Sequence, residues 1–466
     1  MENKIVRTRF APSPTGYMHI GNLRSALYAY LFAKANKGEF ILRIEDTDLA
    51  RYVDGAVELV YRVLKEVGIN WDEGPDIGGN YGPYIQSERK DMYMPYAEQL
   101  IKSGHAYRCF CTKEDIEAAR ANAQEAGETY KYDKKCLHLS QAEINKKISA
   151  NIPHVIRQNV PTSGTTSFHD EIFGTITVEN ATLDDGVLIK ADLMPTYNFA
   201  NVIDDHLMAI THVMRGMEYL SSTPKYNLLY EAFGWEIPVY IHMTPVMRDA
   251  QHKLSKRDGD ASYEDFIEKG YLKEAIVNYI SLLGWNPGDE REKFTLDELV
   301  EAFSVKGMSK SPAIFDPLKL RWLNALYIRE LSVADFTAYA MPYYEKAGIA
   351  HMNTDILCKI LQPRVEIFSE LPEMVDFLTS LDEDYSIEFF TNKKSKTNPE
   401  VSKDVLEFVI PELKALKEWN ETSIHDLLMG LAQAKEMKNG TLLWPVRIAL
   451  AGKQVTPGGA IEIAVL

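Results

Sequence analysis

A chain of 466 residues is longer than one hydrophobic core normally serves, so two or more domains are expected. At 45% apolar and 25% charged, with no apolar run of bilayer-spanning length, the composition excludes a disordered chain and a helical membrane protein. The 51 basic against 67 acidic residues give −16 overall, so any nucleic-acid binding must rest on a local patch, and four cysteines are too few for a disulfide scaffold.

The N-terminal MENKIVRTRFAPSP lacks the apolar stretch of a signal peptide, which predicts a cytoplasmic protein without membrane contact. KIVRTRF alternates as a strand, and APSPTG follows as a proline-stiffened turn. From Asn22, Leu23, Ala26, Leu27, Tyr30 and Leu31 recur at helical spacing, and Gly38 is the expected terminator. FILRI reads as a second strand, ending at Glu45, Asp46 and Asp48, and a helix from Gly55 to Gly68 follows. Strand, glycine-bearing turn, helix and strand make a βαβ unit, which predicts a parallel α/β sheet.

Between about Asp91 and Ala191 this regularity falters. Cysteines, a lysine-rich stretch and the β-like HVIRQNV and GTITVEN read as a domain inserted between two halves of the sheet. The α/β character returns with YNFANVIDDHLMAITHVMRG, a helix from Pro224 to Phe233 and the strand PVYIHMTPVM. After Ser262 the signals are almost all helical, and the apolar end AIEIAVL leaves room for a further C-terminal extension.

Two kinds of local chemistry stand out. His19-Ile20-Gly21-Asn22 lies where the first strand gives way to the first helix, and helix N-terminal amides favour an anion. KLSKRDG gathers Lys253, Lys256 and Arg257 on a glycine-bearing loop that can neutralise phosphate charge during transfer. A similar string, GMSKS, lies at Gly307–Ser311. Cys109 and Cys111 form a CxC and, after 24 intervening residues, Cys136 and His138 form a CxH. Three thiolates and an imidazole suit tetrahedral Zn²⁺, the alternative being buried free cysteines, as expected for Cys358.

The ordered series RFAPSPTG, HIGN, RIEDTD, YNFANVIDDHLM, VMRG and KLSKRDG resembles class I aminoacyl-tRNA synthetases, specifically the bacterial glutamyl-tRNA synthetases. The likeness continues through GPYIQSERKDMY, LLYEAFGW, SPAIFDPLKLRWLN and LLWPVRIAL. It implies a multidomain α/β plus all-α protein. A Rossmann-like parallel-sheet catalytic domain (1–90 and 192–260) would carry an α/β acceptor-end insertion (91–191). A helical stem-contact region (261–324) and an α-helical anticodon-binding domain (325–466) would follow.

The resemblance further implies that His19, Gly21, Asn22, Lys253, Lys256 and Arg257 are catalytic, with His19, Gly21 and Lys256 binding ATP. Glutamate would be held by Arg9, Ala11, Ser13 and Glu45 on one side and Tyr197, Asn201 and Arg215 on the other. Arg215 is the residue expected to favour glutamate over glutamine. A structural zinc on Cys109, Cys111, Cys136 and His138, Mg²⁺ arriving with ATP, tRNA(Glu) as partner and a monomeric state are implied too. Arg364 is the candidate for the last anticodon base.

The match assigns the phosphate loop to KLSKRDG and makes GMSKS a decoy, with Ser311-Pro312 as a helix-initiating turn and Lys310 beyond the sheet's crevice. The chain departs from the wider pattern in HIGN, where the superfamily has HIGH, and in Asp258, where histidine is common. The readings weighed against this one are a form that also charges tRNA(Gln), a glutamyl-queuosine-type enzyme, a glutaminyl-tRNA synthetase and a non-catalytic zinc-bearing RNA binder.

Overall fold

The computed structural model describes residues 5–47, 53–254, 262–381 and 384–466. Its first strand, Arg7–Phe10, is buried throughout and pairs in parallel with Glu39–Leu42, Arg7 lying opposite Glu39 and Phe10 opposite Leu42. A strand buried on both faces needs no alternation, and a helical crossover is what a parallel pair requires. That crossover is the helix Ile20–Ala35, which buries Leu23, Ala26, Leu27 and Leu31 as their spacing predicts. Its return is tight at Gly38. A Cβ there would sit 2.1 Å from the Val6 carbonyl oxygen, where Glu39 N–H donates to that same oxygen at 2.8 Å.

The second half of the sheet repeats the pattern. His212–Gly216 pairs in parallel with Val239–Met243, bringing Arg215 opposite His242. Thr211 N–H donates to the Arg7 carbonyl at 3.0 Å, so the two halves meet at the first strand. The strand order beyond the junction is Gly174–Glu179, Thr165–Asp170, Val239–Met243, His212–Gly216. GTITVEN is therefore not part of a separate insertion, contrary to the sequence reading. It is half of an antiparallel hairpin whose first strand pairs with the sheet, Asp170 opposite Tyr240. HVIRQNV does belong to a separate three-stranded antiparallel sheet, Ala106–Cys109, Val155–Gln158 and Val187–Ile189. That sheet shares one core with three helices, through Tyr93, Leu100, Ile156, Leu188, Phe199 and Tyr226.

Contacts divide the chain into one unit of Met1–Asp265 with Val277–Phe315 and a second of Phe266–Ile276 with Asp316–Leu466. The segment after GMSKS stays in the first unit. Ala313–Ile314 pairs in parallel with Val246–Met247, and Ser309 N–H donates to the Gly284 carbonyl at 2.8 Å. Sequence reasoning started a helix at Ser311-Pro312, and that expectation is corrected: the next helix, Pro317–Glu330, starts after the short strand, with Lys310 exposed ahead of it. Asp316 caps it, accepting from Leu318 and Lys319 N–H, a stronger start signal than Ser-Pro alone.

In the second unit the described elements are helical. One core gathers Leu272, Ile328, Phe336, Leu357, Val365 and Leu371, with Cys358 buried among them as expected. Another gathers Val405, Val409, Ile424, Leu428, Leu442 and Val446. No described helix is long and apolar enough to cross a membrane.

Candidate active site

Parallel sheets present their chemistry beyond the carboxyl ends of the strands, and the predicted residues converge there. Arg9, on the first strand, is 5% exposed. Its Nε and Nη2 donate to Asp205 Oδ1 and Oδ2 at 3.0 and 3.2 Å, and its Nη1 donates to the Met214 carbonyl at 3.3 Å. The wholly buried Arg43 donates to Asp205 Oδ1 at 2.8 Å and to Glu45 Oε1 at 2.9 Å. Two guanidinium groups and two carboxylates therefore cancel in a desolvated cluster, the condition under which buried charge is tolerated. Burial pushes both acids up, but at Asp205 the pull of Arg9 and Arg43 outweighs it and the carboxyl is held below its usual range. At Glu45 burial wins and the carboxyl is raised. The APSPTG turn is tied to this cluster because Glu45 N–H donates to the Pro12 carbonyl at 3.0 Å. That bond brings half-buried Ala11 and exposed Ser13 alongside.

Arg215 enters from the other side under different conditions. It is 6% exposed, yet no described carboxylate lies within ion-pair distance of it. Its Nε donates to His242 Nε2 at 3.1 Å and its Nη2 to Thr223 Oγ1 at 3.0 Å. The rings of Tyr219, Tyr226 and Tyr240 stand 5.1, 4.9 and 5.6 Å from its guanidinium carbon. Tyr197 and Asn201 begin the helix Tyr197–Leu207 one turn apart, and Asn201 Nδ2 donates to the Tyr197 carbonyl at 2.7 Å. Burial, with Glu45 next, pushes the Tyr197 phenol up, so it stays a protonated donor. Together these groups offer a cation, a phenol and an amide on one wall and a carboxylate on the other.

The HIGN corner opens the first helix. His19 is the N-cap of the first helix, and its Nδ1 accepts from Gly21 N–H at 3.0 Å, which places the ring proton on Nε2. Gly21 allows that turn, since a Cβ there would stand 3.1 Å from His19 Nδ1. Asn22 is exposed on the first turn. Lys253 is exposed and forms an antiparallel bridge with Met247. Lys256, Arg257 and Asp258 lie outside the described residues. The chain re-emerges from that segment at Ser262, which bridges to His19, while Tyr263 N–H donates to the Met18 carbonyl at 2.9 Å. One end of the lysine-loop segment is thus fastened to the HIGN helix start, although the two motifs lie far apart in sequence.

The cysteines Cys109, Cys111 and Cys136 gather with all three sulfurs within 4.8 Å of one another. His138 does not join them. It is exposed at the end of the short 3₁₀ turn Lys135–His138, where a residue two places from an inward Cys136 points away. The hydroxyl of buried Tyr132 lies instead 3.2 Å from both Cys109 Sγ and Cys111 Sγ. Hydrogen bonding from Cys136 above all, then Tyr132 and Arg157, pulls the Cys109 thiol down to about 4, against the opposing effect of burial. Soft, closely gathered sulfurs with an ionisable member fit Zn²⁺. In the second unit Arg364 is exposed and donates Nη1 to the Ile360 carbonyl at 2.8 Å.

Sequence reasoning missed Asp205, Arg43, His242, Asp170 and Thr223. The available signals were an ionisable residue within or next to an apolar strand (Arg43 directly after EFIL, His242 in VYIHM) and the doubled acid of the helix YNFANVIDDHL.

Comparison with known proteins now bears on this geometry. Residues 5–322 match the family of class I tRNA synthetases (E and Q), catalytic domain, and residues 335–466 match an anticodon binding domain. The chain is a class I tRNA synthetase of the E and Q family. Relatives of the synthetase include a glutamate–tRNA ligase of Clostridium botulinum (strain Hall), 58% identical over 464 residues, covering 100% of this chain and 95% of the relative. Another, of Clostridium kluyveri, is 59% identical over 459 residues, covering 98% and 94%. Among solved structures, a glutamate tRNA ligase of Elizabethkingia meningosepticum in complex with its amino acid superposes with a TM-score of 0.88 at 35% identity. It covers 99% of the synthetase and 97% of that chain.

Proposed function

We propose that the synthetase attaches L-glutamate to the 3′ end of tRNA(Glu) through a glutamyl-adenylate, acting as a cytoplasmic monomer. The observation that carries this reading is Arg215, a buried cation surrounded by neutral partners, which awaits an anion that none of the described residues provides. The substrate's side-chain carboxylate supplies that anion. Its ammonium faces Glu45, whose Arg43 bond occupies one of two oxygens, and Tyr197 and Asn201 complete the wall. Arg9, committed to Asp205, contributes through its remaining N–H groups.

The substrate α-carboxylate is already ionised at neutral pH, so its attack on the α-phosphorus of ATP, which breaks the bond to the β-phosphate and releases pyrophosphate, needs no general base. The protein's task is positioning and charge stabilisation. The HIGN helix start, with the proton on His19 Nε2, presents donors to the phosphates, and Lys253, Lys256 and Arg257 supply positive charge from the loop anchored at Ser262. Mg²⁺ would arrive on ATP's phosphate oxygens, where it would neutralise part of their charge. Zn²⁺ on Cys109, Cys111 and Cys136, with Tyr132 beside them, would fasten the ends of the intervening segment and take no part in the reaction. The acceptor end would meet the three-stranded sheet region, and the anticodon the helical second unit.

The test is ATP-dependent charging of purified tRNA(Glu) and tRNA(Gln) with labelled glutamate and glutamine. Glutamate on tRNA(Glu) is the expected product. Transfer of glutamine instead, or no transfer to either tRNA, would overturn the reading. The pattern on tRNA(Gln) separates a discriminating from a non-discriminating enzyme.

A further inference from the structure

We propose that Asp170 and His242, residues outside the substrate pocket, are positioning residues that hold Arg215 in register and thereby set the preference for a side-chain carboxylate over an amide. The inference rests on the reading of Arg215 as the carboxylate receptor.

Both residues are wholly buried. Asp170 ends the hairpin strand Thr165–Asp170, and every contact it makes is that of an acceptor. Oδ1 accepts from Ile172 and Phe173 N–H, each at 2.9 Å, while Oδ2 accepts from His242 N–H at 3.1 Å and lies 2.6 Å from His242 Nδ1. The other ring nitrogen, Nε2, faces Arg215 Nε at 3.1 Å. A guanidinium has donors only, so Nε2 must accept, and the single ring proton must sit on Nδ1 and be donated to Asp170. The imidazole is therefore neutral and fixed in one tautomer from both ends.

The consequence falls on Arg215. Nε is committed to His242 and one Nη2 N–H to Thr223, whose hydroxyl in turn donates to the Tyr219 carbonyl at 2.8 Å. These bonds fix the guanidinium plane and leave one N–H on Nη2 and both on Nη1, a fork for two carboxylate oxygens. A glutamine amide would set its own N–H donors against this fork. The hairpin that the sequence assigned to a separate insertion thus has a role at the pocket: the last residue of its first strand orients a residue on a strand two places away in the sheet.

Three variants of the full chain test the inference, read by tRNA-dependent pyrophosphate exchange as separate KM values for glutamate and ATP and as the glutamate-to-glutamine preference. His242→Leu removes the acceptor and should raise the glutamate KM ~10–100-fold and lower the preference by a similar factor, with the ATP KM unchanged. Asp170→Asn should do the same. With its oxygen held by the Ile172 and Phe173 amides, its NH₂ donates to Nδ1 and drives the proton onto Nε2, against Arg215. His242→Gln, which can accept from Arg215 and donate to Asp170, should restore both readouts to within about threefold of the parent. Should His242→Leu fail to fold, Asp170→Asn, nearly identical in shape, carries the same test. Equal losses for ATP and glutamate, or a preference unmoved in both variants, would overturn the inference. Arg215→Gln is the control. An unchanged glutamate KM there sinks the receptor reading itself, whereas a raised KM there with no effect of His242→Leu sinks this inference alone.

Discussion

On the first-strand side of the pocket, Arg9 and Arg43 meet Asp205 and Glu45 and four buried charges cancel, whereas on the other side Arg215, equally buried, meets an imidazole, a hydroxyl and three aromatic rings. The balanced cluster is stable in the empty protein, because each ion has its counter-ion within hydrogen-bond distance. The unbalanced arginine carries an uncompensated desolvation cost until an anion enters. Charge balance thus distinguishes the side that holds the pocket together from the side that awaits substrate, even though both present arginines at strand ends.

The comparison is broken most directly at Asp205. Asp205→Ala leaves Arg9 without its two carboxylate bonds and Arg43 without one, and removing one partner of a buried pair costs ~3–5 kcal/mol. Urea unfolding should register a loss of that size, the largest effect expected. A variant as stable as the parent would show that the cluster is not what holds this side together. Arg215→Gln should behave in the opposite way. Its stability should stay within ~1 kcal/mol of the parent, because an uncompensated charge is removed along with its hydrogen bonds. Its kcat/KM for glutamate should fall ~10²–10³-fold, corresponding to ~3–4 kcal/mol of lost charge pairing with the substrate. A large stability loss with activity retained would reverse the assignment of the two sides.

A third way of handling buried polarity, the thiol trio, sharpens the contrast because a metal rather than a counter-ion would supply its balance. Protein purified without chelator should carry close to one zinc per chain. Cys136→Ser should abolish that metal, and His138→Ala should leave it in place, since His138 is exposed and apart from the sulfurs. Metal content by elemental analysis decides. Loss of zinc in His138→Ala would mean that the turn Lys135–His138 rearranges on binding.

Much of this was legible in the sequence for physical reasons. Helical spacing marked Ile20–Ala35, the βαβ order marked the parallel pair, and the CxC and following cysteine marked the thiols. Of the signature motifs, HIGN is met by Ser262, the first described residue after the lysine motif. What the sequence hid were long-range partners. Asp205 gives no sign in YNFANVIDDHL of being the common acceptor for Arg9 and Arg43, because that pairing depends on sheet order rather than local pattern. GTITVEN alternates as any hairpin strand does, so nothing local tells whether it completes an insertion or extends the main sheet. His138 fits the ligand spacing, but a 3₁₀ turn rather than an α-helix or strand decides where it points.

The smallest effect concerns Glu45 and the protonation limit of the balanced side. Its carboxyl is raised above its ordinary 4.5 mainly by burial, with the charge and hydrogen bond of Arg43 only partly opposing this. A raised acid gains its proton at a higher pH than a solvated glutamate, so the counter-charge offered to the substrate ammonium is lost as pH falls through that raised value. The glutamate KM should therefore begin to climb on acidification while pH is still above 4.5, with the ATP KM flat over the same range. Glu45→Gln should remove the pH dependence and hold the glutamate KM at its acid-limb value throughout. Steady-state exchange kinetics across the acid range provide the check. A climb that persists in Glu45→Gln would move the titrating group off the balanced cluster.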